Sequence, residues 1–434
     1  MARKMKDSGI EWIGEIPEGW EISKVSYFYE VQLGKMLQPQ KKSETDTEEK
    51  YLCAANVGKN SLSLDTLKTM WFSQTEKHQF DLKEGDLLVV EGGDVASCAI
   101  IETPVRNLFF QNALHRVRPL HNESVAFLRY WLMTAKSYGY IDLICNKATI
   151  AHFSKEKFIA LPIPVIPQDI QSKIVSFLDL ECKQIDDLLS KSRSSIEEYK
   201  KLKQAVITQA VTKGVRGERE MKDSGVEWIG KIPREFDPVQ LKFFCKLITD
   251  GTHFSPTTVE NGWPYITAGD VHGIGLDYNS AKRISEEDFQ LLVAQGCQPL
   301  KGDVLLVKDG ATTGRVGFVD SDTPCVILSS VAMLRPADNT DGHYLMYLLA
   351  SDFLQKQILV SMAGSAMPRT TLTKLTKYIG LLSPLHEQKE IANYLDAKCA
   401  EIDKLIAKKE QLVKELENYK KSLIYEVVTG KREV

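Results

Sequence analysis

Residues 5–14 read MKDSGIEWIG and residues 221–230 read MKDSGVEWIG, so one ten-residue phrase occurs twice in the chain. When the chain is aligned with itself at a shift of 217 residues, the similarity continues toward the C-terminus. For example, GDLLVV from Gly85 aligns with GDVLLV from Gly302. A two-copy repeat of this length is too long for a solenoid unit and predicts two similar domains related by a pseudo-two-fold axis.

The similarity between the copies is strongest in the last part of each one. From Pro167 to Thr212, 15 of 46 positions are identical to the segment that begins at Pro384, without a gap. The match is much weaker over residues 31–80 and 90–115. Each copy therefore combines a variable first part with a well-matched last part.

The well-matched part of each copy has the pattern of one long helix. A proline followed by polar residues suits its start, and Gly214 or Gly430 ends it. Apolar positions spaced alternately 3 and 4 apart predict a coiled-coil seam. In the second copy, the apolar residues of the predicted seam are Ile402, Leu405, Leu412, Leu416, Tyr419, Leu423 and Val427. Lys409 occupies the seam position between Leu405 and Leu412 and completes the spacing. In the first copy it is Ile185, Leu188, Tyr199, Leu202, Val206 and Ala210, with weak points at Ser192 and Ser195.

A narrow apolar seam on a polar helix needs a partner, which is either its own domain or the other long helix. The linker KGVRGERE, residues 213–220, favours the second alternative, because it is too short to run back along a helix of roughly 65 Å. The two helices would then be antiparallel, with Val434 close to residue 1. We predict an α+β fold, with two similar mixed α/β domains separated by a long antiparallel two-helix coiled coil in a pseudo-two-fold cyclic arrangement.

The globular parts, residues 17–160 (the first head) and 233–380 (the second head), are predicted to mix short strands with one helix each. DLLVV at 86–90 and DVLLV at 303–307 are predicted strands. VAFLRYWLMTAKS and YLMYLLASDFLQKQI are predicted amphipathic helices. Both heads contain polar loops with glycine, such as VEGGDVAS, VKDGATTGRVG, ITDGTHFSP and SMAGSAMPRTT, and loops on a rigid sheet commonly carry binding residues.

Composition excludes several classes of protein. No apolar run approaches the roughly 20 residues of a membrane helix, and no apolar core follows the basic N-terminus, so we expect neither a membrane protein nor a secretory leader. The cysteines stand singly and form no CxxC pair, which predicts free thiols in a reducing cytoplasm and no zinc site. They lie at positions 53, 98, 145, 182, 245, 297, 325 and 399.

Enzyme signatures are missing from the sequence. LGKM at 33–36 lacks the first glycine and the hydroxyl of a phosphate loop, and GIGLDY at 273–278 lacks the third glycine of a dinucleotide fingerprint. There is no HExxH, no GxSxG and no Asp/Asn-Pro-Pro-aromatic motif. The eight histidines are dispersed, as surface or packed residues usually are. A two-headed binding module fits the chain better than an enzyme.

Duplex DNA is the natural ligand for two readers held at a fixed separation, because it offers two half-sites with a set gap. Dissimilar variable parts would read dissimilar half-sites. The net charge of −3 gives no support by itself. Local basic stretches exist, with seven Lys and Arg against two Glu over residues 191–216, and four basic residues and no acid over 353–380. Charge alone fits solvated protein surfaces at least as well as phosphate contacts.

The chain resembles a known family, the specificity subunits of type I restriction–modification systems. The resemblance lies in SGIEWIGEIPEGWE, GDVLLVKDGATTG, GSAMPRTTL and SPLHEQKEIANYLD with the following IDKLI and VVTGK, and it covers essentially the whole chain. It implies two target-recognition domains separated by two helices in an antiparallel coiled coil. In domain terms, it implies a first target-recognition domain with its N-terminal segment over 1–160, a first spacer helix over 161–216, a second recognition domain over 217–380 and a second spacer helix over 381–434.

The resemblance also implies a function. The chain would be a non-catalytic, cytoplasmic subunit that binds a bipartite asymmetric site on double-stranded DNA. It would dock two modification subunits, which methylate adenine with S-adenosylmethionine, and restriction subunits, which use ATP and Mg²⁺, would join that core. None of these cofactors would bind this chain.

DGTH at 250–253 and KDGATTGR at 308–315 match loops of the family's recognition domains, whereas LGKM and EGGDVAS in the first head depart from them. We therefore predict DNA contacts at loop residues of both heads, although Asp, Asn, Thr and Gly also commonly cap turns. In the first head they are Lys35, Asn56, Asp94, Gln111, Asn112, Lys147, Thr149 and His152. In the second they are Thr252, His253, Asp270, Lys308, Thr312, Thr313, Arg315, Ser365, Arg369 and Thr370.

Two other interpretations stay open at this point. One is a coiled-coil scaffold that brings two protein partners together without DNA. The other is a stand-alone nuclease or methyltransferase, against which the missing cofactor loop and metal cluster argue. The bases recognised cannot be read from the sequence, because readout depends on loop geometry and DNA shape.

Overall fold

A computed structural model of the chain describes residues 3–58, 61–145, 151–273, 275–362 and 368–434. It divides into two compact units, of which unit 1 is Met1–Ser192 with Gln411–Val434 and unit 2 is Arg193–Glu410. In the described ranges, no helix combines the length and the apolar character needed to cross a membrane. All eight cysteines are free thiols, as predicted.

The elements of the first copy are short strands interspersed with short helices, and a long helix comes last. Its strands are β1 (Met5–Asp7), β2 (Glu15–Pro17), β3 (Glu21–Lys24), β4 (Tyr29–Leu33), β5 (Thr47–Leu52), β6 (Lys68–Phe72), β7 (Leu87–Val90), β8 (Cys98–Ile100), β9 (Leu108–Phe110), β10 (Leu114–Pro119) and β11 (Pro162–Val165). Its helices are α1 (Gln74–Gln79), α2 (Val125–Ser137), α3 (Tyr140–Ile144), α4 (Lys155–Ile159) and α5 (Gln168–Lys213), with 3-10 turns at Val25–Tyr27 and Ala54–Asn56.

The second copy follows a similar order and adds the short strands Val271–His272 and Gly275–Leu276. Its strands are β12 (Met221–Asp223), β13 (Lys231–Pro233), β14 (Asp237–Gln240), β15 (Cys245–Asp250), β16 (Thr258–Ile266), β17 (Val271–His272), β18 (Gly275–Leu276), β19 (Lys282–Ile284), β20 (Val304–Val307), β21 (Val316–Phe318), β22 (Val326–Ile327), β23 (Val331–Pro336) and β24 (Ile379–Leu382). Its helices are α6 (Glu286–Ala294), α7 (Gly342–Ala350), α8 (Asp352–Met362), α9 (Leu372–Leu375) and α10 (Leu385–Val428), with a 3-10 turn at Leu241–Phe244.

Among the described residues, the sheets of the two heads correspond, except that the two-stranded sheet β17-β18 occurs in the second head alone. A four-stranded antiparallel sheet has the order β4-β10-β7-β8 in the first head and β15-β23-β20-β21 in the second. A three-stranded sheet has the order β6-β5-β9 or β19-β16-β22, with the last pair of each parallel. The small sheets β1-β2 and β12-β13, and β3-β11 and β14-β24, also correspond. The predicted duplication is therefore present in the fold.

One extra residue in the second copy lies in a β-bulge. Tyr29 and Glu30 pair with Pro119 and Arg118 in consecutive register. In the second head, the register shifts between Cys245 and Leu247, which pair with Pro336 and Arg335. A bulge inserts one residue into one strand of an antiparallel pair. This insertion explains why the opening repeat is offset by 216 residues and the rest of the chain by 217.

Each unit buries apolar side chains of both long helices in its core. In unit 1, Ile185 and Leu189 of α5 join Leu423 and Val427 of α10 and the fully buried Trp131. In unit 2, the core contains Ile207, Ala210 and Val211 of α5 with Ile391, Leu395 and Cys399 of α10. Both alternatives for the helix partner thus hold, because each long helix packs on its own domain and also against the other helix.

Ion pairs give the direction of the helix pairing. In unit 2, Lys203 of α5 pairs with Asp403 of α10 at 2.7 Å. Thirteen residues further along the chain, Arg216 pairs with Glu390 at 2.8 Å. In unit 1, Lys420 pairs with Asp186 at 2.6 Å. As the residue number of the first-copy partner increases, the residue number of its partner on α10 decreases. The pairing is therefore antiparallel, as predicted.

The predicted seam is wrong at alternate positions. Of the predicted residues, Leu188 and Leu202 are 50% and 49% exposed, and Leu405, Leu412 and Tyr419 are 38%, 38% and 47% exposed. At several seam positions, the next residue along the helix is turned toward the protein instead. These residues are Leu189 and Ile196 on α5, and Ile406 and Val413 on α10. The sequence has adjacent apolar residues at several of these places, and periodicity alone does not choose between them.

Other local predictions have mixed outcomes. The strands at 86–90 and 303–307 appear as β7 and β20, and VAFLRYWLMTAKS forms α2. YLMYLLASDFLQKQI was predicted as one helix, but it forms α7 and α8 with a break at Ser351, whose ψ of 149° is extended. Gly214 and Gly430 both have φ of +73°, the left-handed conformation that ends a helix. Lys431 Nζ donates to the carbonyl oxygen of Ile13 at 2.8 Å, so the C-terminal segment lies against the N-terminal one.

Candidate nucleic-acid interface

Four segments of the first head meet where strands β4, β7 and β9 end. These segments, residues 33–37, 91–97, 110–113 and 151–153, are called the first loop cluster below. Lys35 forms a bridge with Gln111, and Gly92 forms one with His152. Backbone hydrogen bonds from Asn112 to Lys35 at 2.8 Å and from Glu91 to Ala113 at 2.9 Å close the cluster.

The second head joins the equivalent segments after β15, β20 and β22. Residues 250–254, 308–315, 327–330 and 368–370 form the second loop cluster. Thr252 bridges Leu328, and Asp309 bridges Arg369. Both bridges are the counterparts, at the 217-residue shift, of those in the first head. The two heads therefore bring together the same four segments with the same backbone geometry.

A glycine at the same place in each cluster permits a close approach of two segments. A Cβ atom on Gly34 would lie 2.2 Å from the carbonyl oxygen of Gln111, and one on Gly251 would lie 1.9 Å from that of Ile327. These are impossible contacts with backbone atoms, so any other residue would push the segments apart. The shared glycine of LGKM and DGTH thus has a structural reason.

Several predicted contact residues of the first head are buried and bonded inside the protein. Lys35 is 5% exposed, pairs with Glu76 and donates to Gln38 Oε1 at 2.8 Å. Burial raises the pKa of Glu76, but the hydrogen bond from Lys35 and other donors outweigh it and leave that pKa below its usual value. Asn56 is 3% exposed and lies outside the cluster, where its side chain accepts from the Cys53 amide at 3.0 Å and donates to the Ser63 carbonyl at 3.1 Å.

The second head contains a charge network around a buried lysine. Lys308 is 2% exposed and lies between Asp250, at 3.3 Å, and Asp309, at 3.0 Å. Asp309 Oδ1 also forms an ion pair with Arg369 Nε, 2.9 Å away. Thr370 is fully buried and its hydroxyl lies 2.6 Å from that of Tyr378. This network ties the segment that begins at Lys308 to the segment that contains Arg369.

Two further predicted residues of the second head are buried. Thr252 Oγ1 accepts from the backbone amide of Phe254 at 2.9 Å. Asp270 lies outside the cluster and accepts from the amide and the hydroxyl of Thr267 at 2.8 and 2.7 Å. Both side chains are less than a tenth exposed. Their hydrogen bonds hold local turns.

The remaining predicted residues leave polar groups at the surface, and the two clusters differ in what they present. The first cluster has exposed Asp94 and His152 and half-buried Gln111 and Asn112. His152 Nδ1 lies 3.0 Å from Glu91, and Asp94 accepts from Lys136 at 2.6 Å. The second cluster has exposed His253, Arg315 and Arg369 and half-buried Thr312 and Thr313. Predicted residues Lys147, Thr149 and Ser365 lie outside the described residues.

Sequence reasoning missed apolar residues in both clusters. Leu37 is 54% exposed, Met36 is 76% exposed and Phe254 is 50% exposed. Met36 is the last residue of LGKM, Leu37 follows that motif directly, and Phe254 directly follows DGTH. The available signal was their position next to the glycine rather than their chemistry.

The framework beneath the clusters is the same in both heads. Arg118 Nε donates to the buried Asp86 at 2.5 Å, and Arg335 Nε donates to the buried Asp303 at 3.0 Å. These hydrogen bonds raise the pKa of both arginines. Gln171 and Gln388 each accept from the residue before a helix, Ser124 at 3.1 Å and Asp341 at 2.8 Å. The hydrogen bonds that the two heads share thus lie beneath loops whose side chains differ.

Among the described residues, no group of three or more His, Cys, Asp or Glu side chains is arranged to hold a metal ion. Fold and site together define an internally duplicated protein, with a mixed α/β head and a variable loop cluster in each copy and with long antiparallel helices.

A family model named Type I restriction modification DNA specificity domain matches residues 17–198 and 233–417. The two matches cover most of the chain, so the chain belongs to this family, and the resemblance noted in the sequence is confirmed. The two matched segments also coincide with the internal duplication.

Two named relatives are similar over two thirds or more of the chain. The type I restriction enzyme MjaVIII specificity subunit of Methanocaldococcus jannaschii is 23% identical, over 96% of this chain and 93% of that protein. The type I restriction enzyme EcoBI specificity subunit of Escherichia coli is 22% identical, over 67% of this chain and 63% of that protein.

Solved structures show the same fold. One chain, from a structural study of complex assembly and conformational transition of the type I R-M system, matches with a TM-score of 0.73 and 15% identity, over 95% of this chain and 98% of that one. The HsdS subunit of Thermoanaerobacter tengcongensis matches with a TM-score of 0.51 and 16% identity, over 96% of this chain and 98% of that one. The predicted fold class is confirmed.

Proposed function

We propose that the chain is the DNA-recognition subunit of a type I restriction–modification enzyme, in which each loop cluster reads one half of a bipartite asymmetric target. The observation that carries this proposal is the pair of matching frameworks with unlike surface groups. Both clusters present an imidazole, but the second adds two guanidinium groups and the first adds two amides. Arginine pairs best with guanine edges and Asn or Gln with adenine edges, so unlike clusters would select unlike bases.

Within each cluster, the buried and the exposed candidates would have different roles. Lys35, Lys308, Thr252 and Thr370 are buried and bonded to the protein, and we assign them to holding the loops. The exposed candidates, and the half-buried ones beside them, would reach base edges or phosphates. The assigned contact residues are Asp94, Gln111, Asn112, His152, His253, Thr312, Thr313, Arg315 and Arg369.

The paired helices would set the gap between half-sites and dock two modification subunits. Chemistry would belong to those partners, with S-adenosylmethionine on the modification subunits and ATP and Mg²⁺ on restriction subunits. The chain itself would be non-catalytic.

The proposal is tested by co-expressing the chain with its modification subunits and mapping methylated adenines on the host genome. We expect one asymmetric sequence of two parts with a constant gap. Binding of the complex to that duplex should weaken steeply with salt, because phosphate contacts release counterions. A protein scaffold would show no salt-dependent DNA affinity, and a stand-alone enzyme would methylate or cleave DNA without the partner subunits.

A further inference from the structure

A large apolar side chain is exposed at the same position of both loop clusters. Leu37 is 54% exposed and Phe254 is 50% exposed. Each stands two residues after a bridged residue, Lys35 or Thr252, and the two positions coincide at the 217-residue shift. The surrounding loops differ in almost every polar group, so an apolar residue at this position is a shared feature of otherwise unlike surfaces.

Both side chains are presented by anchored backbone. Gly34 and Gly251 bring the preceding residues against a neighbouring segment, where no Cβ atom would fit. The amide of Phe254 donates to Thr252 Oγ1 at 2.9 Å. Beside Leu37, Gln38 accepts from Lys35 Nζ at 2.8 Å and donates to Asp46 Oδ2 at 3.2 Å. Anchoring of this kind suits a contact with a defined partner better than a mobile loop tip would.

DNA offers two kinds of partner to an apolar side chain. One is the C5 methyl group of thymine, the apolar feature that distinguishes a base in the major groove. The other is the space between two base pairs, into which a wedge inserts and unstacks them. A wedge needs both faces of its side chain free, whereas about half of the surface of Leu37 and of Phe254 is covered by the protein. The thymine methyl group therefore fits the geometry better.

We propose that Leu37 in the first head and Phe254 in the second each pack against the C5 methyl group of a thymine, one in each half-site. This inference rests on the proposed function and deepens it, because it assigns a base type to a named residue in each head. It also separates these residues from their polar neighbours, which would read hydrogen-bonding groups.

The test uses deoxyuridine, which differs from thymidine only by the missing C5 methyl group. The full complex is titrated with its mapped target duplex and with duplexes that carry one deoxyuridine at each thymine in turn. We expect one position in each half-site at which the substitution weakens binding about fourfold, the value for one buried methyl group. In the Phe254→Ala complex, the effect should vanish in the second head's half-site and persist in the other, and Leu37→Ala should give the reverse pattern.

Several controls keep the outcomes distinct. Phe254→Leu and Leu37→Met retain an apolar side chain and should keep the deoxyuridine effect. Thermal unfolding of each variant should match that of the parent chain, because the replaced side chains are half exposed. The inference is overturned if no thymine is sensitive, or if both alanine variants leave the sensitivity unchanged. Weaker binding of the Phe254→Ala variant at every duplex, with altered 2-aminopurine fluorescence, would instead indicate a wedge. In either case a bipartite methylated target would still stand, so the proposed function fails only if that target is absent.

Discussion

In the first head, the buried Asp86 is held by Arg118, and in the second the buried Asp303 is held by Arg335. A few residues further along each chain segment, the correspondence ends. Lys308 in the second head is a buried cation between two carboxylates, whereas its counterpart in the first head is Glu91, which pairs with His152. The same ion pair beneath the loops and unlike charges within them thus lie a few residues apart in each head.

The two heads should respond alike to substitutions in the framework and differently to substitutions in the loop clusters. A change in the framework should affect stability in the same way on either side and leave the target sequence unaltered. A change in a loop cluster should affect one half-site only. A change in the paired helices should affect the gap between half-sites and neither half-site itself.

The largest expected effect comes from lengthening the helices. One heptad is inserted into α5 between Lys200 and Lys203, and one into α10 between Asp403 and Ile406. Seven helical residues add about 10 Å, or about 3 base pairs, to the spacer. We expect methylation mapping to show both original half-sites with a longer gap, and affinity for the original target to fall about a thousandfold, to the non-specific level. An unchanged gap would contradict the role assigned to the helices.

The next effect concerns the shared framework. Arg118→Met and Arg335→Met each leave a buried carboxylate without its cation, which costs about 3 kcal/mol of unfolding free energy. Urea denaturation should give similar losses for both variants. Arg234→Met is the control, since Arg234 and Glu220 are an exposed pair, 67% and 69% exposed, that should matter little. Clearly unequal losses for the two buried pairs would show that the frameworks are not equivalent.

A smaller effect is expected at the close-approach glycines. Gly34→Ala and Gly251→Ala each force a Cβ atom against a backbone carbonyl, so the loop cluster must shift. We expect binding to fall about tenfold, with discrimination relaxed in one half-site, a different one for each variant. Gly217→Ala is the matched control, because nothing lies within 4 Å of its added Cβ atom. Loss of discrimination in both half-sites with either variant would argue against independent heads.

The smallest effect concerns the helix register. Lys203→Glu places an acid against Asp403, which is half exposed, and should lower the unfolding free energy by about 0.5–1 kcal/mol. The double variant with Asp403→Lys restores a pair and should recover most of the loss. Lys398→Glu serves as control, because Lys398 pairs with Glu401 on its own helix. Failure of the double variant to recover stability would mean that this contact does not select the register.

Much of the fold could be predicted from the sequence because duplication and heptad spacing are patterns of many residues. The antiparallel helix pair, β7, β20 and α2 all follow from such patterns. The residues of the seam could not be predicted in the same way. Leu405 and Ile406 are adjacent apolar residues, and only packing decides which of them is turned toward the protein. The break at Ser351 and the bulge between Cys245 and Leu247 depend on tertiary contacts that local propensity does not contain.

The candidate site was predictable to the level of loops rather than side chains. Glycine-rich motifs indicated which segments would carry recognition, and those segments do meet in each head. The motifs did not indicate that Lys35 and Lys308 are buried in ion pairs, because a lysine in a polar loop has the same pattern whether it faces solvent or a carboxylate. They also did not single out Leu37 and Phe254, because the sequence does not show which apolar side chains of a loop are exposed.

One head replacement tests the central claim most directly. Residues 17–160 are replaced by residues 233–377, so that the chain carries the second head twice, and methylated adenines are mapped after co-expression with the modification subunits. We predict a target made of two copies of the half-site that the second head reads in the parent chain. If both original half-sites remain in the methylated sequence, the assignment of one half-site to each head is wrong.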